Sequence, residues 1–375
     1  MTARVSDWIA SRLLAVTARV SDWIASRLLA MTIRLRRVFQ VNRYARQISF
    51  APIGVEGQDR LKQSKVAVVG LGALGSVIAE TLTRAGVGYI RIIDRDYVEL
   101  VNLQRQVLYT EQDARERKPK AIAAKQHVME INSEVVVEEK VTDVNSMNVE
   151  KLIQDMDLVM DGTDNFFTRH LINEACHKHQ IPWIYAGAVG SKGSTLNVTW
   201  KEDTPCLRCF VGSDVSTQTS CSTDGVLGML TQTMASIECA EAIKILVGAE
   251  DIRLGLLHVD VWKNRFQQVA ITQDPACPVC GIHTSYEFLG KATKGYTTRM
   301  CGYDATQVVP EFEMELDLQK LEERLLGVGE VHNFGFSLQL KVDEYDITVF
   351  PDGRAIIKHA IDANHAKSLY TEYIQ

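Results

Sequence analysis

Apolar and polar positions along the chain follow two rhythms, short strand-like runs and longer stretches with helical spacing, and their order sets the architecture. Residues 66–69, VAVV, run straight into Gly70, Gly72 and Gly75, a helix starts near Ala73, and a second strand ends at Asp94. The spacing then predicts a helix over 118–131 with Pro119 in its first turn, a strand over 135–137 and a helix over 149–154. A buried strand follows over 158–160, ending in the polar turn DGTDN (161–165), and a helix over 166–179. Strand and helix alternate throughout this region. The pattern predicts the α/β class with a doubly wound, mostly parallel, Rossmann-like sheet, whose ligands sit at the carboxyl ends of its strands.

Beyond 180 the rhythm shifts. Runs over 182–189 and 194–200 are strand-like, and 225–246 reads as a long apolar helix in which Met229, Met234 and Ile237 are core. The segments 254–262 and 266–271 pair as an antiparallel extension across Lys263 and Asn264. From about 297 a compact α+β pattern begins: a helix over 316–326, strands over 338–342, 347–350 and 355–358, a hairpin turn at Pro351-Asp352-Gly353, and a last helix over 363–373. His332, His359 and His365 lack ligand spacing and read as surface residues. The expected organisation is a leader over 1–41, a nucleotide-binding domain over 42–290 and a small α+β domain over 297–375.

The leader changes that picture least. Residues 2–15 recur unchanged at 17–30, too perfect and too short for a solenoid, and through Val41 the leader holds seven Arg, no Lys and only Asp7 and Asp22 as acids. A duplicated, non-native segment with a start near Met31 is favoured over an Arg-rich targeting helix, and the leader is expected to lie outside the fold.

Composition narrows the function classes. With 375 residues and 46% hydrophobic content the chain can bury a large core, and a net charge of −6 gives no overall basic field for nucleic acid. Any anion site must therefore be local. No apolar run reaches the length of a membrane span. Eight cysteines without a secretory signal point to a reducing compartment, so a cytoplasmic location is expected, with paired cysteines serving metal or catalysis.

The candidate chemistry sits at the strand ends. Gly70, Gly72 and Gly75 suit a tight turn, close approach to a phosphate and close helix packing, and Asp94, nineteen residues past Gly75, suits a ribose hydroxyl. NAD, FAD and ATP sites all use such a loop. Asn102, Arg105 and Lys118-Pro119-Lys120 follow, and cations beyond the ribose carboxylate imply more phosphates than a dinucleotide carries. Asp164 is either the cap of the helix over 166–179 or a magnesium ligand; its place at a strand end, in one crevice with Asp94 and Lys120, favours magnesium. Cys206, Cys209, Cys277 and Cys280 form two CxxC pairs that predict a closed structural zinc site, with a redox pair as the rival. Cys221, in the polar run 213–224, is inert or nucleophilic on spacing alone, whereas Cys176 and Cys239 read as packing residues. Arg43 and Arg46 in NRYARQ (42–47) read locally as surface.

Taken together, NRYARQ, GLGALG, DRDYVELVNLQRQ, KPK, DGTDN, the two CxxC pairs and Cys221 resemble the MoeB/ThiF family, relatives of ubiquitin-activating enzymes, over about 42–281. The resemblance implies Mg-ATP-dependent adenylation of the C-terminal glycine carboxylate of a ubiquitin-like sulfur carrier ending in Gly-Gly, of ThiS or MoaD type, with release of pyrophosphate. It further implies bound Zn2+ and a homodimer in which Arg46 reaches the partner's ATP. Arg105, Lys120 and Asp164 are then catalytic, and Cys221 is a second-step nucleophile. The tail is not rhodanese-like, so a separate sulfur donor such as a cysteine desulfurase or rhodanese is expected, and the tail tilts the carrier toward ThiS. An NAD-dependent oxidoreductase and a non-catalytic scaffold are the alternatives.

Overall fold

The computed structural model describes residues 43–201, 204–212, 225–290, 296–299, 305–310 and 314–375. The tandem repeat and Cys221 lie outside the described residues. The chain divides into two units, Met1–Asp59 and Arg60–Gln375. In the first, the helix Ala45–Ile48 carries Arg46, whose side chain is exposed.

In the second unit, β1 (Lys65–Val69), β2 (Tyr89–Asp94), β3 (Val136–Val141), β4 (Leu158–Asp161), β5 (Trp183–Val189), β6 (Lys192–Val198), β7 (Leu256–Asp260) and β8 (Arg265–Val269) form one sheet in the order 3-2-1-4-5-6-7-8. Pairing is parallel from β3 through β5 and antiparallel from β5 to β8. The strand order reverses between β1 and β4, and at such a switch point the loops part to leave a crevice. The antiparallel extension is longer than expected: it begins at β6, because Gly190 at φ +60° turns the chain back after only two residues.

Both faces of the parallel part are covered, which is why its strands read as continuous apolar runs. Val66 and Val68 of β1 face the layer built with helices Gly75–Ala85, Lys120–Ile131 and Gly228–Val247. Ala67 and Val69 face the opposite layer, with helices Val149–Ile153 and Phe166–His179. Each fully buried Leu or Val there contributes roughly 1.5–3 kcal/mol. One helix residue departs from expectation. Met234 is buried and Ile237 packs partly against the core, but Met229 is 70% exposed, since it lies in the first turn, before the helix reaches the sheet.

A second, antiparallel sheet closes the chain: β9 (Tyr296–Arg299), β10 (Ala305–Val309), β11 (Glu330–Asn333), β12 (Leu338–Val342), β13 (Tyr345–Val349) and β14 (Ala355–Lys358), ordered 11-12-13-14-10-9. Helices Leu318–Leu325 and Ala363–Tyr373, capped by Asp317 and Asp362, pack on it around Leu338, Leu340, Ile347 and Ile357. Strands β9, β10 and β11 escaped the sequence reading because their runs are short and mixed. His332 and His359 are exposed as expected, whereas His365 is half-buried with its ring edge-on to Tyr345. No helix among the described residues is long and apolar enough to cross a membrane.

Candidate active site

The glycines are required by contact as well as by conformation. Gly70 has φ +85°, and a Cβ at Gly75 would lie 1.8 Å from the Gly70 carbonyl oxygen. A Cβ at Gly162, in the DGTDN turn, would lie 2.3 Å from the same oxygen, so the loop after β1 and the turn after β4 touch through bare backbone. Gly72 is different: its Cβ would meet nothing closer than 3.9 Å, leaving an open backbone edge. No side chain caps the helix that starts at Gly75; Ser76 N turns back to Gly72 O at 3.1 Å, and the positive dipole end of the helix faces the loop, where an anion is favoured. Beside this edge lies Gln106, 4% exposed, whose Oε1 has no hydrogen-bond partner among the described residues. An orphaned buried acceptor is completed by a donor, which a nucleotide supplies through its ribose hydroxyls or adenine amino group.

At the end of β2, Asp94 is 8% exposed and held by two amides, Leu71 N to Oδ2 at 2.6 Å and Asp96 N to Oδ1 at 2.7 Å. One amide on each oxygen leaves acceptor capacity for two hydroxyls. Lys120, 5% exposed at the start of its helix, places Nζ 3.2 Å from Asp96 Oδ2, and its own amide donates to Asp96 O at 2.8 Å. Burial raises the Asp94 carboxyl above its usual range in spite of Lys120. Burial also works against Asp96, but the charges of Lys120, Arg95 and Arg354 hold that carboxyl below its usual range. Asp96, two residues beyond the expected ribose ligand, was not singled out from sequence. The alternation of acids in DRD was the available signal.

Arg105 is partly exposed, with Nη1 donating to Val101 O at 3.0 Å, and its Cα backs onto the start of the helix Gly228–Val247. Lys118 is turned away, toward Glu116 at 2.8 Å and Asp113 at 3.4 Å. Asn102, expected to position a phosphate or the attacking carrier tail, is fully buried, and its Oδ1 accepts from Glu99 N at 3.0 Å, closing the turn Leu100–Asn102. It shapes the loop that carries Arg105.

At the end of β4 the helix cap is Asn165, whose side chain accepts from Thr168 N at 2.8 Å, so the exposed Asp164 carboxylate is not used for capping. The turn is fixed from below by Asp161 and Arg169, which sequence reading missed because either residue alone looks like an ordinary polar position. Asp161 Oδ2 accepts from Arg169 Nε at 2.9 Å, Oδ1 accepts from Thr163 N and Oγ1, and Arg169 Nη2 donates to Thr163 O and Ala186 O. An exposed carboxylate on a braced turn at a strand end fits a divalent cation shared with phosphates.

The four Sγ atoms of Cys206, Cys209, Cys277 and Cys280 all lie within 4.8 Å of one another, with Cys206 to Cys277 at 3.7 Å and Cys209 to Cys280 at 3.3 Å. Tetrahedral zinc with Zn–S near 2.3 Å needs sulfurs about 3.8 Å apart, so the donor set fits a closed zinc site, and the spacing far exceeds the roughly 2.05 Å of a disulfide. Burial pushes the Cys176 and Cys239 thiols well up, in line with packing residues.

A model of the ThiF family matches residues 44–279. The Bacillus subtilis protein named sulfur carrier protein ThiS adenylyltransferase is 39% identical over 335 residues, covering 88% of this chain and 99% of its own length. A Thermus thermophilus protein named sulfur carrier protein adenylyltransferase is 36% identical over 249 residues, 64% of this chain and 91% of that protein. Among solved structures, Escherichia coli MccB with ATP superposes with a TM-score of 0.56 at 25% identity, covering 64% of this chain and 75% of that one.

Proposed function

The chain belongs to the ThiF family, and from that premise we propose that it adenylates the C-terminal carboxylate of a ubiquitin-like sulfur-carrier protein, with ATP as the nucleotide. The observation that carries the reading is the cluster at the switch point: an uncapped helix start and open Gly72 edge for phosphates, and beside them Asp94 with the Asp96–Lys120 pair.

A carboxylate is ionised at neutral pH, so attack on the α-phosphorus needs no general base. One carboxylate oxygen bonds to phosphorus, the bond from phosphorus to the α,β-bridging oxygen breaks, and the electron pair leaves with pyrophosphate. The obstacle is repulsion between anions, which preorganised cations remove. In this reading Asp94 accepts from the ribose hydroxyls, while Lys120 and Arg105 offset phosphate charge. Asp164 would hold a magnesium ion, which would neutralise phosphate oxygens when bound. The four cysteines would hold a structural zinc ion, outside the chemistry.

A carrier of ThiS type is favoured because the match to the Bacillus subtilis protein, at 88% of this chain, necessarily runs past residue 297 into the second sheet. Arg46 would act across a homodimer on the partner's nucleotide, Cys221 would serve a second, sulfur-handling step, and the sulfur would come from a separate donor protein. The test is pyrophosphate exchange into ATP with ThiS-type and MoaD-type carriers. Exchange should require a Gly-Gly-ending carrier and fall about a hundredfold or more in Arg105→Ala. Exchange that proceeds equally without a carrier would overturn the reading.

A further inference from the structure

Segment 95–99 joins the ribose carboxylate to the turn that carries Arg105. On one side it lies against the start of the Lys120 helix: Val98 N donates to Lys118 O at 2.8 Å, Lys120 N to Asp96 O at 2.8 Å, and Tyr97 bridges Pro119. On the other side it is gripped by the C-terminal sheet at three successive alternate residues. Arg354 Nη1, from a side chain 1% exposed, donates to Arg95 O at 2.9 Å. Tyr97 is buried with Ala305, Phe350 and Ile356. Lys358 Nζ donates to Glu99 Oε1 at 2.7 Å.

Two further ties reinforce the grip. Asp143 accepts from Arg95 Nη1 at 2.9 Å and from Gln307 Nε2 of β10 at 3.0 Å. Arg117 sits 4.1 Å from the centroid of the Tyr97 ring and reaches Thr348 Oγ1 at 3.2 Å and Asp346 Oδ2 at 3.5 Å, both on β13. The residues gripped are those that separate Asp94 from Asp96 and Asn102, so a shift of the segment would move the ribose ligand, the partner of Lys120 and the Arg105 turn together.

We propose that the C-terminal sheet is a positioning platform for the nucleotide site, with Arg354 and Lys358 holding segment 95–99 so that Asp94, Lys120 and Arg105 keep one geometry toward ATP. An interface that served only to attach two layers would not need to clamp the main chain next to a ligand-binding carboxylate. Arg354 and Lys358 are positioning residues, since they act through Arg95 and Glu99. The inference rests on the adenylation reading and deepens it.

The test compares Lys358→Met, Lys358→Arg and Glu99→Gln in the full chain, measuring Mg-ATP affinity by titration calorimetry, KM for ATP and for carrier in pyrophosphate exchange, and thermal unfolding. Lys358 is suited to this because its side chain is 22% exposed and its stem survives in Met. Lys358→Met and Glu99→Gln should each weaken ATP binding and raise its KM about tenfold, a fraction of the hundredfold that ~1 Å of misplacement costs. Carrier KM should stay within about twofold, the two losses should not add, and Lys358→Arg should recover most of the affinity. Folded variants that bind ATP as the wild type does would overturn the platform. A wild-type protein that binds ATP without carrier-dependent exchange would instead overturn the functional reading, leaving the ATP-affinity comparison to judge the platform separately.

Discussion

Arg169 and Asp161 form a salt bridge at 2.9 Å between side chains only 6% and 0% exposed, beneath the turn that presents Asp164. Arg169 spans Asp161, Thr163 O and Ala186 O, so one guanidinium ties the end of β4, the turn and β5 together. Removing one partner strands a buried charge. Arg169→Ala is expected to lower stability by about 3–5 kcal/mol in denaturant unfolding, and Arg169→Lys should recover little, because an ammonium cannot reproduce the planar fork.

Gly75 and Gly72 of the loop separate folding from binding. Gly75→Ala would drive a Cβ into the Gly70 carbonyl and should yield an unstable or insoluble protein. Gly72→Ala has room for its methyl and should fold with a melting temperature close to wild type, yet bind Mg-ATP roughly tenfold or more weakly, because the methyl occupies the edge a phosphate approaches. Equal ATP affinity in Gly72→Ala, measured by calorimetry, would remove that edge from the site.

Purified protein should carry one zinc ion per chain by elemental analysis. Cys209→Ser or treatment with a strong chelator should release it and lower the melting temperature, since a closed four-thiolate site contributes folding energy directly. Retention of a full melting temperature after complete zinc loss would count against a structural role.

Burial, aided by the charge of Arg208, pulls the His170 pKa down to about 4. The ring stacks on Phe288 with centroids 4.5 Å apart and stays neutral in the native state, whereas the unfolded chain titrates near 6.5. Between those values the unfolded state binds more protons, so stability is full above about pH 6.5 and declines as pH falls toward 4. Melting temperatures measured across that window should fall less steeply in His170→Gln than in the wild type.

The glycine loop, the acid at the end of β2, the two CxxC pairs and most strand and helix cores were legible without coordinates, because each is a local pattern: an apolar run, a turn that demands glycine, a ligand spacing. Helix Phe166–His179 matches its expected bounds because its cap and its left-handed Gln180 stop are written in adjacent residues. Met229 was misread for the same reason. Locally it looks like core, but packing leaves the methionine in solvent.

Local order along the chain thus settles the fold class, the glycine-rich loop and the two CxxC pairs, since turn stereochemistry and side-chain periodicity act over a few residues. Three-dimensional packing alone chooses the partners of buried and half-buried charges: Lys120 with Asp96, Arg169 with Asp161, and Arg354 and Lys358 with positions 259 residues away at Arg95 and Glu99. Such pairs leave no periodic trace, because a charge removed from water takes whichever complementary group the packed layers bring within reach.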